Sequence, residues 1–148
     1  MKTPYIMIRM KPEQEYKVGE FMKKDLIQVT PETSVRKAAE VMAKKHVSSA
    51  VVCTNKKLVG IITEKDLARK IVAKGLNADE ALAKDIMTTD LLTIEPETSL
   101  YDAMLKLNKK KVTHLPVVSN GKIVGMITSM DILRTQPSYM EILAGPKI

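Results

Sequence analysis

The sequence contains an internal repeat, and this repeat constrains the fold more than any other feature. Shifting the 148-residue chain by 65 positions lays residues 21–69 on residues 86–134 without a gap. Among the matched stretches, Pro31–Ser34 falls on Pro96–Ser99, with the same four residues in the same order. A unit of about fifty residues buries a sheet poorly by itself, so the two copies are expected to pack together as one module.

Each copy shows the same succession of patterns, which predicts a β-α-β-β-α unit. A short apolar strand closed by a proline comes first, followed by a helix with a Thr/Ser cap, an apolar stripe and a lysine-rich end. Two apolar strands joined by a polar turn come next, and the second leads into another helix. We therefore predict an α+β fold in which two pseudo-symmetric repeats pack sheet to sheet. The predicted strands are residues 26–29, 49–53 and 58–62 in the first copy and 91–94, 115–118 and 123–127 in the second.

The repeat boundaries divide the chain into four segments. Residues 1–17 form an N-terminal arm, which is expected to pack on the body of the molecule or on a partner. The first repeat occupies residues 18–75, the second occupies residues 76–135, and residues 136–148 form a C-terminal tail. Two short additional helices are predicted, at Ala78–Asp85 between the copies and at Ser138–Leu143 in the tail.

A Thr-x-x-Asp motif ends the last strand of each copy, as Thr63 with Asp66 and as Thr128 with Asp131. The threonine is placed to cap the following helix, and the aspartate falls in its first turn, near the positive end of the helix dipole. Free backbone N–H groups, a hydroxyl and a carboxylate at one point also suit a ligand with hydroxyl and phosphate groups. The residues alone leave both interpretations open, a helix cap and a part of a binding site.

The net charge of +7 is concentrated in the first copy. Residues 21–75 carry 12 Lys or Arg against 5 Asp or Glu, whereas residues 76–134 carry 7 against 8. A basic surface attracts nucleic acid or phosphorylated metabolites. However, the chain has four Tyr, one Phe and no Trp, so it has few of the aromatic side chains on which single-strand binders stack bases. Nucleic acid binding through the basic first copy is therefore a less favoured alternative.

The apolar runs are short, and the single cysteine, Cys53, lies within one of them. No run is long enough to span a bilayer, and Arg9 and Lys11 interrupt the N-terminal apolar residues where a secretory signal needs continuity. Cys53 has no partner for a disulfide and is expected to be a small buried hydrophobic residue. The sequence therefore predicts a cytoplasmic protein that does not enter a membrane.

The sequence carries no recognisable catalytic motif. Its two histidines, His46 and His114, belong to no Ser-His-Asp order and no metal-ligand spacing, and no phosphate-binding P-loop is present. The acids at the Thr-x-x-Asp motifs are single, whereas general acid-base catalysis commonly uses a pair. We predict that the protein is not an enzyme and that it has no metal site and no catalytic cofactor.

Three features occur together in each copy: the strand closed by a proline, the paired apolar strands, and a Gly-x-x-Thr-x-x-Asp ending in which the two residues after Gly are apolar. Together they resemble a tandem pair of CBS domains, the family named after cystathionine β-synthase, over roughly residues 18–135. The second copy is the closer match, since Val112–Val118 has the Leu-Pro-Val-Val ending of that family's second strand. The first copy departs there, with Ala50-Val51 in place of Leu-Pro.

The resemblance implies a regulatory module that binds AMP, ADP, ATP or S-adenosylmethionine in two clefts between the copies. Such pairs commonly dimerise into flat discs, and a homodimer that signals to an unknown regulated protein is expected. The resemblance places Asp66 and Asp131 at the ribose hydroxyls and Thr63 and Thr128 near the phosphate. A structural docking module with empty clefts is the remaining alternative.

Other residues are expected to complete the two clefts. By the same resemblance His114 is a phosphate candidate, with a histidine satisfied by the backbone as the alternative. Lys65, beside its Thr-capped helix start, is a second phosphate candidate, with a solvated helix lysine as the alternative. The base edge is expected to contact two stretches per cleft. These are Val47, Ser48 and the stretch from Met22 to Lys24 for the Asp131 cleft, and Val112, Thr113 and the stretch from Met87 to Thr89 for the Asp66 cleft.

Overall fold

The computed structural model describes residues 16–144, apart from the side chains of residues 143 and 144. The predictions for residues 1–15 of the arm and for residues 145–148 of the tail lie outside the described residues. In chain order the elements are α1 (Val18–Phe21), β1 (Gln28–Val29), α2 (Val35–Lys45), β2 (Ser49–Thr54), β3 (Lys57–Thr63), α3 (Glu64–Asp66) with a π-helical segment (Leu67–Val72), α4 (Ala83–Ile86), α5 (Leu100–Lys110), β4 (His114–Ser119), β5 (Lys122–Thr128), α6 (Ser129–Thr135), a 3-10 turn (Pro137–Tyr139) and α7 (Met140–Ala144).

The long helix of each repeat begins and ends where the sequence predicts. Ser34 caps α2 and Ser99 caps α5, each accepting a hydrogen bond from the backbone N–H three residues on, at 3.1 Å and 3.0 Å. Helix α2 ends at His46 and α5 at Lys111, both in the left-handed conformation with φ of 57° and 56°. These two ends turn the chain towards β2 and β4, and the short connections between helix and strand carry the predicted cleft residues Val47, Ser48, Val112 and Thr113.

The sheets of the two repeats differ in their first strand. In the first repeat β1 pairs with β2 in parallel, whereas in the second the strand predicted at 91–94 is reduced to a single bridge at Ile94. Val51 N–H donates to the Ile27 carbonyl at 2.8 Å in the first repeat. The equivalent position in the second repeat is Pro116, which has no N–H to donate. The proline therefore shortens this part of the ladder.

Within residues 16–144, three apolar clusters hold the structure together. The first core lies between the helices and the sheet of the first repeat, and the second core occupies the same place in the second repeat. A third cluster, the inter-sheet cluster, contains Val51, Cys53 and Ile61 of the first repeat and Met126 of the second. Alternate residues of β2 belong to the first core and to the inter-sheet cluster, so this strand is buried on both faces. The predicted α+β fold with two repeats packed sheet to sheet is confirmed.

Cys53 is buried in the inter-sheet cluster and forms no disulfide. Burial raises the pKa of its thiol, because a thiolate would lose its hydration there. The thiol therefore stays protonated, and the residue packs as the small apolar side chain that the sequence predicts.

Each repeat is completed by a short helix from the first part of the other repeat. Helix α1 belongs to the first repeat, yet Val18 is fully buried in the second core, and its N–H donates to the Thr98 carbonyl at 2.8 Å. Helix α4 belongs to the second repeat, yet Ala83 is fully buried in the first core, and its N–H donates to the Thr33 carbonyl at 2.7 Å. The two repeats are therefore interlocked through these two segments. We call residues 18–24 and 83–89 the leading segments.

The leading segments also extend the sheet of the repeat on which they dock. Lys23 exchanges two backbone hydrogen bonds with Met126 of β5, at 2.8 Å and 2.9 Å. Thr88 does the same with Ile61 of β3, at 2.9 Å and 3.0 Å. Each leading segment therefore runs beside the last strand before a Thr-x-x-Asp motif.

The bridging helix predicted at Ala78–Asp85 is wrong in its start, because α4 begins only at Ala83. Two carbonyls of the preceding residues accept hydrogen bonds from the start of a different helix, α2. Val35 N–H donates to the Ala81 carbonyl at 2.8 Å, and the next N–H of α2 donates to the Ala78 carbonyl at 2.9 Å. Both donors belong to the first turn of α2, whose N–H groups have no partner within their own helix.

The C-terminal helix lies close to the predicted position. The residues predicted as a helix at Ser138–Leu143 form the 3-10 turn and α7. Tyr139 and Ile142 of this region pack on the second core, and the Tyr139 ring meets Tyr101 edge-on with the ring centroids 5.8 Å apart. Among the described helices, none is long and apolar enough to cross a membrane. Within residues 16–144, no three His, Cys, Asp or Glu side chains are placed to hold a metal ion.

Candidate ligand clefts between the repeats

The two Thr-x-x-Asp motifs have nearly the same geometry. Thr63 N–H donates to Asp66 Oδ2 at 2.9 Å, and Asp66 N–H donates back to the Thr63 hydroxyl at 3.4 Å. The corresponding distances between Thr128 and Asp131 are 3.0 Å and 3.1 Å. Both aspartates are buried, with exposed fractions of 8% and 9%. Each reciprocal cap therefore fixes a carboxylate at the point where a strand becomes a helix.

The second oxygen of Asp66 contacts a leading segment. Asp66 Oδ1 lies 3.0 Å from Lys70 Nζ and accepts a hydrogen bond from the Thr88 hydroxyl at 3.4 Å. Lys70 Nζ also donates to the Ile86 carbonyl at 2.8 Å. Because Thr88 and Ile86 both belong to the leading segment, Lys70 and Asp66 fasten that segment to the first motif.

The second oxygen of Asp131 has different partners. Asp131 Oδ1 lies 3.8 Å from Lys23 Nζ and 3.4 Å from Arg134 Nη1. The residue equivalent to Lys70 in the second repeat is Thr135, whose hydroxyl donates to the Asp131 backbone carbonyl at 3.2 Å. Two largely exposed cations therefore neutralise the second carboxylate, whereas a less exposed lysine neutralises the first.

The Asp66 cleft is a cavity of about 570 Å³ between the first motif and the start of β4. Thr88 contributes to it from the docked leading segment, and Ile61, Leu91 and Leu92 give it an apolar side. A cavity with an apolar side and convergent polar groups is typical of a small-molecule site. The predicted residues in its walls are Thr63, Lys65, Asp66, Val112, Thr113 and His114.

The Asp131 cleft is a cavity of about 420 Å³ on the other side of the junction between the repeats. Lys23 of the leading segment, Val47, Ser48 and Thr128 belong to its walls. Asp131 itself does not line this cavity and acts on it through its contacts with Thr128 and Lys23.

Three residues, Ser48, Glu64 and His114, line both clefts and form a shared wall. His114 Nε2 lies 2.9 Å from the Ser48 hydroxyl, and His114 Nδ1 lies 2.9 Å from the Thr113 hydroxyl. A neutral imidazole donates from one nitrogen and accepts at the other, and hydroxyl groups can satisfy both needs. The predicted alternative for His114, satisfaction by the backbone, is replaced here by two side-chain hydroxyls.

The charges around His114 act in both directions. Burial lowers the pKa of the imidazole, because the protonated ring loses hydration between the repeats. The carboxylates of Asp131 and Glu64 oppose this shift of the pKa, and the ammonium groups of Lys23 and Lys65 add to it. Since the net direction is down, the ring on the shared wall is neutral near pH 7.

The stretches predicted at the base edge reach the clefts through their central residues. Lys23 and Thr88 line the cavities, whereas Met22, Lys24, Met87 and Thr89 are absent from the described walls of the two clefts. This follows from the pairing with β5 and β3, in which the side chains of successive residues point to opposite faces of the sheet.

Met22 and Met87 instead pack on glycines of the facing strands. A Cβ atom on Gly125 would lie 2.4 Å from Met22 Sδ, and one on Gly60 would lie 2.5 Å from Met87 Sδ. Both approaches require glycine. A glycine at the same place in two apolar strands indicates the close approach of another chain segment, and this signal was available in the sequence.

Four further residues contact the motifs or line the clefts and were not predicted: Glu64, Lys70, Lys110 and Lys111. Lys70 lies four residues after Asp66, a spacing that brings helical side chains together. Lys110 and Lys111 line the Asp66 cleft because α5 ends there, and their position depends on how the repeats pack.

Comparison with known proteins agrees with this architecture. The profile of the CBS domain matches residues 18–73 and 83–138. The chain therefore belongs to the CBS domain family, and it carries two CBS domains in tandem.

Curated relatives are similar over most of this chain. An uncharacterized protein of Methanopyrus kandleri is 36% identical over 122 residues, which are 81% of this chain and 62% of the relative. An uncharacterized protein of Methanocaldococcus jannaschii is 39% identical over 119 residues, 80% of this chain and 38% of the relative. The inosine-5'-monophosphate dehydrogenase of Korarchaeum cryptofilum is 36% identical over 113 residues, 76% of this chain and 22% of that enzyme. The chain thus spans less than two thirds of these relatives.

Solved structures share the fold. An uncharacterized conserved protein of Pyrococcus horikoshii has a TM-score of 0.77 and 31% identity, covering 85% of this chain and 94% of that one. The CBS domain pair of protein MJ0100, in complex with 5'-methylthioadenosine and S-adenosyl-L-methionine, has a TM-score of 0.76 and 26% identity. That comparison covers 84% of this chain and 98% of the neighbour.

Proposed function

We propose that this CBS pair is a non-catalytic regulatory module that binds an adenosine-containing ligand between its repeats. AMP, ADP, ATP and S-adenosylmethionine are the candidates, and the occupied module signals to a partner protein. The observation that carries the proposal is the repeated placement of a capped Thr-x-x-Asp motif beside a cavity. A complex of a similar CBS domain pair with 5'-methylthioadenosine and S-adenosyl-L-methionine supports the ligand class.

The chemistry of the Asp66 cleft fits a nucleoside. An aspartate carboxylate only accepts hydrogen bonds, and the two adjacent hydroxyls of a ribose donate them. Asp66 Oδ2 is used by its cap, but its contact from Oδ1 to the Thr88 hydroxyl is long, at 3.4 Å. A ribose hydroxyl can replace Thr88 at this oxygen, and the apolar side of the cavity then receives the base.

Ligand binding is tested by calorimetry with AMP, ADP, ATP, S-adenosylmethionine and 5'-methylthioadenosine. Asp66→Asn removes the negative charge and one acceptor at the proposed ribose position. Asp131→Asn removes the charge that holds Lys23 and one acceptor beside Thr128 at the other cleft. Both substitutions keep the side-chain size. Each variant is expected to weaken ligand binding at one of the two clefts by about tenfold or more. Hydrogen bonds to charged groups contribute about 1.5–3 kcal/mol, which is large enough for this effect. Absence of binding by all five ligands to the unmodified protein would contradict the proposal.

Asp85→Asn provides the matched control. Asp85 Oδ2 accepts a hydrogen bond from Leu82 N–H at 2.9 Å, in the same three-residue capping arrangement, but Asp85 lines neither cleft. The control should lose a similar amount of cap stability without changing ligand affinity. If Asp85→Asn and Asp66→Asn lower the ligand affinity equally, the capping aspartates affect binding only through the stability of the fold.

The proposal includes a homodimer. Val72 is 77% exposed and Leu76 is exposed, both on the segment that follows the first Thr-x-x-Asp motif, and the exposed Met130 lies within the second motif. Large apolar side chains in water favour association with a second copy. Sedimentation analysis of the unmodified protein and of Val72→Lys tests this, with a shift from dimer to monomer in the variant as the expected result and a monomer in both as the contrary one.

A further inference from the structure

The two clefts differ in charge because their walls are not symmetric. Three lysines, Lys65, Lys110 and Lys111, line the Asp66 cleft. The Asp131 cleft has Lys23 as the one lysine among its described lining residues. The repeat explains the difference, because the position equivalent to Lys65 is Met130 and the position equivalent to Lys111 is His46.

The lysines of the Asp66 cleft are available to a ligand. Among the described residues, none of the three forms an ion pair, and all three are exposed. Asp66 is already neutralised by Lys70 at 3.0 Å, so Glu64 and Asp90 are the remaining carboxylates in the described walls of this cleft. The cleft therefore carries more positive than negative charge.

The balance is reversed in the Asp131 cleft. Its Lys23 shares the Asp131 carboxylate with Arg134, at 3.8 Å and 3.4 Å respectively. Asp25 and Glu64 remain as carboxylates in the described walls. A ligand that brings several negative charges would meet like charge here without a free lysine to offset it.

We propose that the Asp66 cleft selects a nucleotide with two or three phosphates, whereas the Asp131 cleft takes an adenosine ligand without a polyphosphate chain. This inference rests on the proposed function, because it assumes that an adenosine-containing ligand occupies the clefts. Lys65 lies at the motif that is assigned to the ribose and first phosphate. Lys110 and Lys111 come from the opposite wall, at the end of α5, and meet the distal phosphates there.

The test is calorimetry with adenosine, AMP, ADP and ATP in buffer with a chelator, so that no divalent cation neutralises the phosphates. At one of two sites, affinity is expected to rise from AMP to ATP. Lys65→Met introduces the residue found at the equivalent position of the second repeat. It should lower the affinity for ATP at that site about tenfold. Adenosine binding should change less than about twofold, since adenosine has no phosphate for a lysine to contact. Lys110→Gln should behave in the same way.

Lys45→Met is the matched control. Lys45 is the residue equivalent to Lys110 in the first repeat, and it lines neither cleft. It removes the same net charge and should leave ATP affinity unchanged. An equal loss in Lys45→Met and Lys110→Gln would overturn the inference, because it would reduce the effect to the overall charge of the protein.

Asp66→Asn and Asp131→Asn assign the sites. The ATP-selective site should be lost in Asp66→Asn and kept in Asp131→Asn, and the opposite pattern overturns the inference. Equal affinity for AMP and ATP at both sites overturns the inference alone and leaves the proposed function standing. Failure of all four ligands to bind overturns the inference, and failure of S-adenosylmethionine and 5'-methylthioadenosine as well overturns the proposed function with it.

Discussion

The Ser48 hydroxyl lies 2.9 Å from His114 Nε2, and this contact joins the two repeats on the wall that their clefts share. The relationship is asymmetric, because the position equivalent to His114 in the first repeat is Ser49. A ligand group that takes the hydrogen bond of His114 in one cleft therefore alters the wall of the other. The imidazole is the part of this shared wall whose charge can change near neutral pH.

Protonation of His114 should destabilise the fold. The pKa of the ring is lowered from 6.5 by burial, so the unfolded chain binds this proton at a higher pH than the folded chain does. The contribution to stability is complete above pH 6.5 and is lost as the pH falls from there through the lowered pKa. Urea unfolding between about pH 7.5 and pH 5.5 should show this decline, and His114→Asn should flatten it.

His46→Asn is the control for this pH experiment. His46 is exposed and left-handed at the end of α2, a conformation that asparagine tolerates well. If His114→Asn and His46→Asn change the pH dependence equally, the effect comes from the histidine content and not from the shared wall.

Substituting the glycines that lie beneath the leading segments should destabilise the protein, and the two substitutions should differ in their cost. Gly125→Ala and Gly60→Ala both force a methionine to move, at an expected cost of about 1–3 kcal/mol for overpacking. The new Cβ at Gly125 would also meet the Lys23 carbonyl oxygen at 3.0 Å, and this backbone oxygen is fixed by the bridge to Met126. Gly125→Ala should therefore be the more destabilising substitution in urea unfolding.

A double substitution checks the physical cause. At Gly60 the three nearest atoms all belong to the Met87 side chain, so Met87→Ala should recover part of the loss from Gly60→Ala. At Gly125, Met22→Ala should recover less, because the backbone oxygen remains. Additive losses at Gly60 would show that the strain does not involve Met87.

The repeats and their caps could be predicted because local sequence determines them. Ser34 and Ser99 cap their helices, and Thr63 and Thr128 pair with the aspartates three residues on, since each contact spans one helical turn. These features are encoded within a few residues, and the internal repeat, with its offset of 65 residues, shows each of them twice.

The exchange of leading segments could not be predicted in the same way. Val18 and Ala83 are apolar, but the two repeats offer nearly equivalent cores, and the sequence pattern does not show in which core each residue is buried. The helix start predicted near Ala78 was wrong for a related reason, since the carbonyls of Ala78 and Ala81 serve the first turn of α2. The lysines at the end of α5 entered the Asp66 cleft through the same long-range packing.

The interlocked arrangement predicts which repeat a substitution weakens. Val18→Ala removes a fully buried side chain from the second core and should cost about 1–3 kcal/mol. Hydrogen exchange should report lower protection in α5, β4 and β5, which build that core. Met140→Ala, at a side chain that is 55% exposed, is the control and should leave stability nearly unchanged. Loss of protection confined to β2 and β3 would place α1 on the first repeat and contradict the exchange.

Lys70 should stabilise the first repeat more than its position near the surface suggests. Its ammonium group lies 3.0 Å from Asp66 Oδ1 and donates to the Ile86 carbonyl at 2.8 Å, so it links the first motif to a leading segment. Lys70→Met keeps much of the apolar stem but removes both contacts, at an expected cost of about 1–2 kcal/mol in urea unfolding. Arg69→Met removes an exposed cation with no ion pair among the described residues and should cost less than about 0.5 kcal/mol.

A double-mutant cycle then separates the two contacts of Lys70. If the ion pair dominates, Lys70→Met costs much less in an Asp66→Asn background, because the charge that it neutralises is already gone. If the contact with Ile86 dominates, the cost is the same in both backgrounds, because this carbonyl is unchanged by the substitution at Asp66. We expect a coupling of about 0.5–1 kcal/mol, since the carboxylate is buried and the lysine is 37% exposed. If Lys70→Met and Arg69→Met lower the free energy of unfolding equally, Lys70 does not stabilise the contact between the first motif and the leading segment.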